Sequence, residues 1–150
     1  MTRYLLDNNV VRGMMANNPE VMKWLGTVDD SDIWLASHTI YESRKGIERE
    51  LKKNPVNPGA LKGQAFLDDL EARFKDRIAP FDAVAAKEAA RLVADSGANE
   101  KDRMYVAVAK VNDMTLISRN AKDVKGLGVP VLNPYTDPVD RFDRVGKRRA

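Results

Sequence analysis

Apolar and polar residues fall in blocks along this chain, and the period of the pattern changes from block to block. Tyr4-Leu5-Leu6, Ile33-Trp34-Leu35-Ala36 and Met114-Thr115-Leu116-Ile117 are short, nearly uninterrupted apolar runs, the signature of buried strands. Between them apolar positions recur at helical spacing, as in Val21, Trp24, Leu25 and Val28, or Leu67, Leu70 and Phe74. The pattern predicts a strand over 3–6 and a helix beginning near Val10. A second helix follows, capped by Asn18 with Pro19 in its first position. Ile33 to Ala36 is the next strand, and a helix over 39–53 stops before Asn54-Pro55, because proline disfavours helical backbone in its predecessor. Asn57-Pro58-Gly59 reads as a turn before a long helix over 61–74. Residues 77–81 contain Pro80 and predict an edge strand, since proline cannot donate to a central ladder. A helix over 82–95 breaks at Ser96-Gly97-Ala98. The next helix, over 100–111, is expected to be capped by Asn99 and to bury Met104, Ala107, Val108 and Val111. Strands over 114–117 and 129–132 complete the series.

Short strands alternating with pairs of helices point to a three-layer α/β fold, a short and mostly parallel central sheet flanked by helices. The chain has 150 residues, enough for one domain with its own core. The expected division is a folded unit over 1–135 and a charged tail over 136–150, which ends Gly-Lys-Arg-Arg-Ala and should wrap the surface or fray. The absence of cysteine excludes disulfides, thiolate zinc sites and cysteine nucleophiles. His38 is the only histidine, which removes a Ser-His-Asp arrangement unless His38 is its base. No P-loop or glycine-rich nucleotide fingerprint is present. The apolar runs are too short to cross a bilayer and residues 1–6 do not read as a signal peptide, so a cytoplasmic location without membrane contact is expected. The formal charge of +3 is too small to name a partner, although it suits a polyanion approaching an acidic centre.

That acidic centre is the chemical content of the pattern. Asp7 ends the first strand, Glu42 follows the second, Asp102 opens a late helix, and Asn120 or Asp123 follows the strand ending at Ile117. Sites in open parallel sheets form outside the carboxyl ends of the strands, so these positions can converge. Clustered carboxylates raise one another's pKa and are most stable around a cation. Mg²⁺ or Mn²⁺ prefers oxygen ligands, keeps several waters and can activate one for attack on a phosphodiester. Each residue also has a plainer reading: Asp7 as a helix cap, Glu42 as a complement to its helix dipole, Asp102 as an exposed first-turn carboxylate, Asn120 as a turn former.

Tyr4-Leu5-Leu6-Asp7-Asn8-Asn9-Val10-Val11 resembles the opening motif of PIN-domain ribonucleases, in particular the VapC-type toxins of bacterial toxin–antitoxin systems. Ser37 to Glu48 is similar to the second block of that family, Asp102 to Ala109 to its third, and Leu116-Ile117-Ser118-Arg119-Asn120 to its last, with Val129 to Pro134 like the terminal strand. The order and spacing of these blocks, from residue 2 to about 135, carry the resemblance. It implies a metal-dependent endoribonuclease using Mg²⁺, with Mn²⁺ as a substitute, in which Asp7, Glu42 and Asp102 are catalytic metal-binding carboxylates. Asn120 would stand where the family often has a fourth acid, and Asn9 and Ser118 would hold a carboxylate or a water. Asn8 and Ser118 depart from the commoner residues at their positions without removing a ligand. The resemblance further implies an RNA substrate, commonly tRNA or rRNA, a cognate protein antitoxin and a homodimer.

Arg12, Arg44, Lys45, Lys101, Arg103 and Arg119 are the candidates for phosphate contact. Met14, Met15, Met22, Trp24 and Trp34 either cover a partner groove or fill the core. Two readings compete with the nuclease. One is a non-catalytic PIN-like RNA- or protein-binding module, against which the three intact acids argue. The other is a phosphatase or receiver-like domain, which would carry paired aspartates near the first strand and a later lysine.

Overall fold

The computed structural model describes residues 2–96 and 99–137. Five strands, β1 (Tyr4–Leu6), β2 (Ile33–Ala36), β3 (Ile78–Ala79), β4 (Thr115–Ile117) and β5 (Val131–Leu132), form one sheet in the order β3-β2-β1-β4-β5. Every pairing is parallel, with Leu6 opposite Leu35 on one side and Ile117 on the other. The helices are α1 (Asn8–Met15), α2 (Pro19–Leu25), α3 (Ser37–Lys53), α4 (Pro58–Arg73), α5 (Ala83–Ser96) and α6 (Glu100–Val111). The succession is the one that the apolar pattern predicts, two helices in each of the first three crossovers.

Alternation along the strands builds the layers. Tyr4, Leu6, Ile33, Leu35 and Ile117 face Val10, Val11 and Met14 of α1, Val21 and Trp24 of α2, and Leu67 and Leu70 of α4, with Phe74 just beyond it. Leu5, Ala36, Ala79 and Leu116 face the opposite layer, where Ala85, Ala89 and Leu92 of α5 meet the run Tyr105 to Ala109 of α6. The period of two in a strand separates these two sets of side chains. Helix α3 packs on α4 along the rim and buries Thr39. Gly13 of α1 is required by close approach, because a Cβ there would meet Tyr135 Oη at 2.3 Å and Val21 Cγ2 at 2.9 Å. Among the described residues no helix is long and apolar enough to cross a membrane.

Several helix boundaries differ from expectation, with and without a polar cap. Helix α1 begins at Asn8, one residue after β1, and α3 at Ser37, directly after β2. Asn57-Pro58-Gly59 is the start of α4 rather than a free turn: Asn57 Oδ1 accepts the Ala60 N–H at 3.0 Å and Pro58 occupies the first helical position. Asn99 does precede α6, but its side chain makes no capping bond. Val111 stays 38 % exposed, and the buried side of α6 is instead broad, running through Asp102, Arg103 and Tyr105 to Ala109. Helix α2 follows the prediction, with Asn18 Oδ1 accepting from the Glu20 and Val21 N–H groups. Thr136 and Asp137 belong to a turn closed on Asn133. Of the expected tail, residues 138–150 lie outside the described residues.

Candidate active site

Strand β1 lies at the centre of the sheet, and the chain runs from it first to β2 and β3, then back to β4 and β5 on its other side. The carboxyl ends of β1 and β4 therefore mark the point where strand order reverses, the usual crevice of a parallel sheet. Asp7 is the first residue after β1. Its extended backbone (φ −70°, ψ 156°) is pinned to β4 by its N–H, which donates to the Ile117 carbonyl at 2.9 Å, while its own carbonyl starts α1. The side chain makes no capping bond to the helix, which removes the plain reading of Asp7 as a cap. Instead Ser118 Oγ, at the end of β4, donates to Asp7 Oδ2 at 2.7 Å.

Ser118 is itself held in place. Its oxygen accepts from the Asn120 N–H at 3.0 Å and faces Asn9 Nδ2 at 3.4 Å, and Asn9 Oδ1 accepts the Arg119 N–H at 3.0 Å. Tyr135 adds a bond from its hydroxyl to the Asn9 carbonyl at 2.8 Å. Asn9 and Ser118 thus fix one rotamer of Asp7 between two strand ends. Burial pushes the Asp7 carboxyl up to about 6; the Ser118 bond opposes this, and the charges of Asp102 and Glu42 add to it.

Asp102 is the third residue of α6 and only 5 % exposed, so it is not a solvated first-turn acid. Its Oδ2 is buried and has no hydrogen-bond partner among the described residues. Burial raises its pKa, and among neighbouring charges that of Asp123 is felt most, with Glu42 contributing. Asp123 lies in the 3₁₀ turn Ala121–Val124. Asn120 is exposed and reaches the cluster through its backbone N–H, so the fourth acid near the centre is Asp123.

Glu42 occupies the second turn of α3, beyond the part of the helix where the dipole favours a carboxylate. Its side chain is 7 % exposed. The Tyr105 hydroxyl donates to Oε1 at 2.5 Å, and Lys101 Nζ stands 2.5 Å from Oε2. His38 Nε2 lies 3.8 Å from Oε1. Thr39 Oγ1, 3.2 Å from both the Tyr105 hydroxyl and the Leu6 carbonyl, ties this group to the end of β1. Burial and the Glu42 bond hold Tyr105 well above the usual phenol range, so it is a permanent donor. Contact with Glu42 raises the Lys101 ammonium, while burial lowers His38 and favours its neutral form.

The charge of Glu42 therefore acts on both Asp7 and Asp102, and that of Asp102 on Asp7, but the three carboxyls do not stand alike. Among the described residues, no group of three or more histidine or acidic side chains is arranged to hold a metal ion as it stands. Glu42 already has a cation; Asp7 and the open oxygen of Asp102 have raised pKa values and no ion pair in the cluster. The donor set of Asp7 and Asp102 fits a hard divalent cation, which would satisfy the orphaned oxygen and relieve the repulsion.

The basic candidates divide. Arg12, Lys45, Lys101 and Arg119 are exposed. Arg44 is committed to Asp68 and Glu71 of α4 at 2.7 and 2.6 Å, and Arg103 is buried, with Nη1 donating to the Asp123 carbonyl at 3.1 Å. Of the apolar candidates, Trp24 and Met14 are core, Met15 is partly buried, and Trp34 is half-buried beneath the Arg3 guanidinium. Met22 is 43 % exposed and lines a groove of about 560 Å³ with Leu25, Phe66 and Leu70. Tyr105, Thr39 and His38 are parts of the site that the sequence reading left out. A tyrosine three residues after Asp102 and two polar residues before Glu42 were the available signals, legible only once α6 is known to be buried across so much of its surface.

The plasmid stability protein StbB of Pseudomonas syringae pv. tomato is 26 % identical over 142 residues, covering 87 % of this chain and 97 % of that protein. The toxin FitB of Neisseria gonorrhoeae is 27 % identical over 143 residues, with 89 % and 99 % covered. The crystal structure of FitAcB from that organism superposes with a TM-score of 0.73 at 26 % identity, covering 89 % of this chain and 99 % of the other. A structure of FitAB bound to a DNA fragment gives 0.75 at 27 %, covering 90 % and 97 %. The family model of the PIN domain matches residues 4–125, a span that holds Asp7, Glu42, Asp102 and Ser118, and the chain belongs to the PIN-domain family.

Proposed function

We propose that this protein is a metal-dependent endoribonuclease and the toxin of a toxin–antitoxin pair. The observation that carries the reading is the unpartnered, buried Asp102 oxygen beside an Asp7 carboxyl held near 6, both at the reversal point of a parallel sheet. A buried carboxylate pair without a counter-cation is costly as a purely structural feature, and a bound Mg²⁺ or Mn²⁺ gives it a role. When bound, such an ion supplies a water of lowered pKa and positive charge at the phosphodiester. Asp7 and Asp102 offer it oxygens, Ser118 and Asn9 hold Asp7 in its rotamer, and Tyr105 keeps Glu42 oriented toward the centre. Glu42 joins directly only if Lys101 withdraws; otherwise it acts through water. Arg12, Lys45 and Arg119 are exposed cations available to the RNA backbone, while Lys101 is held by Glu42, and tRNA or rRNA is the substrate class that the family resemblance favours.

The likeness to FitB, known in complexes named FitAB and FitAcB, supports a cognate protein partner for this chain. An antitoxin segment seated in the groove beside Met22 and Phe66 would use apolar contacts for affinity. A homodimer is part of the same proposal. The non-catalytic alternative draws on one specific observation, the Lys101–Glu42 pair, which neutralises one of the three acids without any metal.

The deciding experiment is single-turnover cleavage of total tRNA and rRNA with Mg²⁺, comparing the parent with Asp7→Asn. Loss of cleavage by a folded mutant is expected. Parent-like cleavage by that mutant rejects the assignment, and no cleavage by the parent with either RNA favours the binding module.

A further inference from the structure

Beside Glu42 the surface carries a feature that phosphodiester hydrolysis does not itself require. Tyr41 is 58 % exposed and, among the described residues, is the aromatic side chain most open to solvent. It sits on α3 one residue before Glu42. The His38 imidazole lies against it, ring centres 5.8 Å apart and planes inclined by 33°, and the same imidazole reaches to within 3.8 Å of Glu42. On its other side His38 meets the buried Tyr105 ring edge-on at 5.4 Å. Lys45, one turn further along the helix, places its ammonium 5.1 Å from the centre of the Tyr41 ring. A file of three rings thus runs from the core to solvent, ending in an open phenol face with a cation over it.

Exposing a tyrosine face forgoes the burial that such a ring ordinarily gains. Within the described fold His38 lies against one side of the ring, and the rest is covered only by a long, exposed lysine, which moves at little cost. We propose that Tyr41 is a stacking shelf for one unpaired RNA base, next to the phosphodiester held at the acidic centre. The base takes the place of the Lys45 ammonium on the ring, and Lys45 moves to a phosphate of the same strand. The inference rests on the nuclease reading for its substrate, and it defines that substrate as single-stranded or looped RNA at the point of cleavage. Bases in a duplex are stacked on their neighbours, and an aromatic shelf can receive only one that is splayed out. The cations beside Tyr41 and Glu42, Lys45 and Lys101, favour a polyanion over an apolar peptide as the occupant.

The test is fluorescence anisotropy of the full chain with labelled oligoadenylate and with an abasic oligoribonucleotide of the same length, in EDTA so that nothing is cut. The parent should bind oligoadenylate more tightly than the abasic strand. Tyr41→Ala should weaken oligoadenylate binding about tenfold, equivalent to about 1.4 kcal/mol. It should leave abasic binding and the melting temperature unchanged, and Tyr41→Phe should behave as the parent. Equal loss on both strands, no loss on either, or a Tyr41→Phe defect as large as that of Tyr41→Ala overturns the proposal; no loss assigns the ring to a protein partner. Because metal is absent, base-dependent binding without any Mg²⁺-dependent cleavage would reject the nuclease reading and keep the shelf. Cleavage that needs Asp7 but is indifferent to Tyr41 would do the reverse.

Discussion

Asp7 holds its proton more tightly in the folded protein than in the unfolded chain, and this has a definite sign. An unfolded aspartate ionises near 3.8, whereas burial moves the folded carboxyl to about 6. The contribution of this group to stability is therefore greatest below about pH 4 and is lost as pH rises through about 6. Asp7→Asn removes that dependence. In EDTA the mutant should be more stable than the parent at neutral pH, by up to about 3 kcal/mol of unfolding free energy, with the gap closing as pH falls toward 4. Unfolding curves across this range provide the measurement, and a gap independent of pH would contradict the burial argument. Ser118 supplies a second check. Its hydroxyl bond lowers the Asp7 pKa more than the backbone bond from Asn8 does, so Ser118→Ala should raise that pKa further, and Ser118→Thr should restore it. A carboxyl-carbon titration by NMR reads both variants directly.

At the scale of elements, what was legible in the sequence was set by strong local chemistry. Asn18-Pro19 specifies the start of α2, and the two N–H groups accepted by Asn18 explain why the reading there was accurate. Asn18→Ala should cost about 1 kcal/mol, measured by urea unfolding, since it frees two helix donors at once. The same chemistry at Asn57-Pro58 resembles a turn in the sequence, because the proline and glycine that mark a turn also mark a helix entry. The first four strands and their parallel direction followed from apolar runs separated by two helices each. Tertiary commitments were not legible. Arg44 looks like a phosphate contact until α4 brings Asp68 and Glu71 beside it, and Arg103 looks exposed until the broad buried surface of α6 is known. For the site, the sequence marked Asp7, Glu42 and Asp102 by their junctional placement. It did not mark the partners that make them unequal, Tyr105 and Lys101 on Glu42 and the missing partner on Asp102, because a helix pattern does not specify which side chains meet across elements.

At the scale of the molecule, the carboxyl ends of the strands gather the Asp7 and Asp102 carboxylates, and on the proposed reading folding and ion binding are linked there. A divalent ion that binds the folded state alone stabilises it by about 2.7 kcal/mol at a concentration a hundred times its dissociation constant. For a chain of this size that is a rise in melting temperature of roughly 5–10 °C. Saturating Mg²⁺ or Mn²⁺ should therefore raise the melting temperature of the parent, and chelation should return it to the metal-free value. Asp102→Asn should remove most of the rise, since its open oxygen is the donor with no other partner. Glu48→Gln, an exposed acid on α3, should leave the rise intact. Lys101→Met gives the sharpest contrast. It takes away the ammonium that neutralises Glu42, so the metal-free protein should be less stable while the ion should bind more tightly and raise the melting temperature further than in the parent. Differential scanning calorimetry of the four proteins, with and without Mn²⁺, separates these effects. A rise unaffected by Asp102→Asn and no larger in Lys101→Met would mean that ions act on the general surface charge and that the acidic edge is not where they bind.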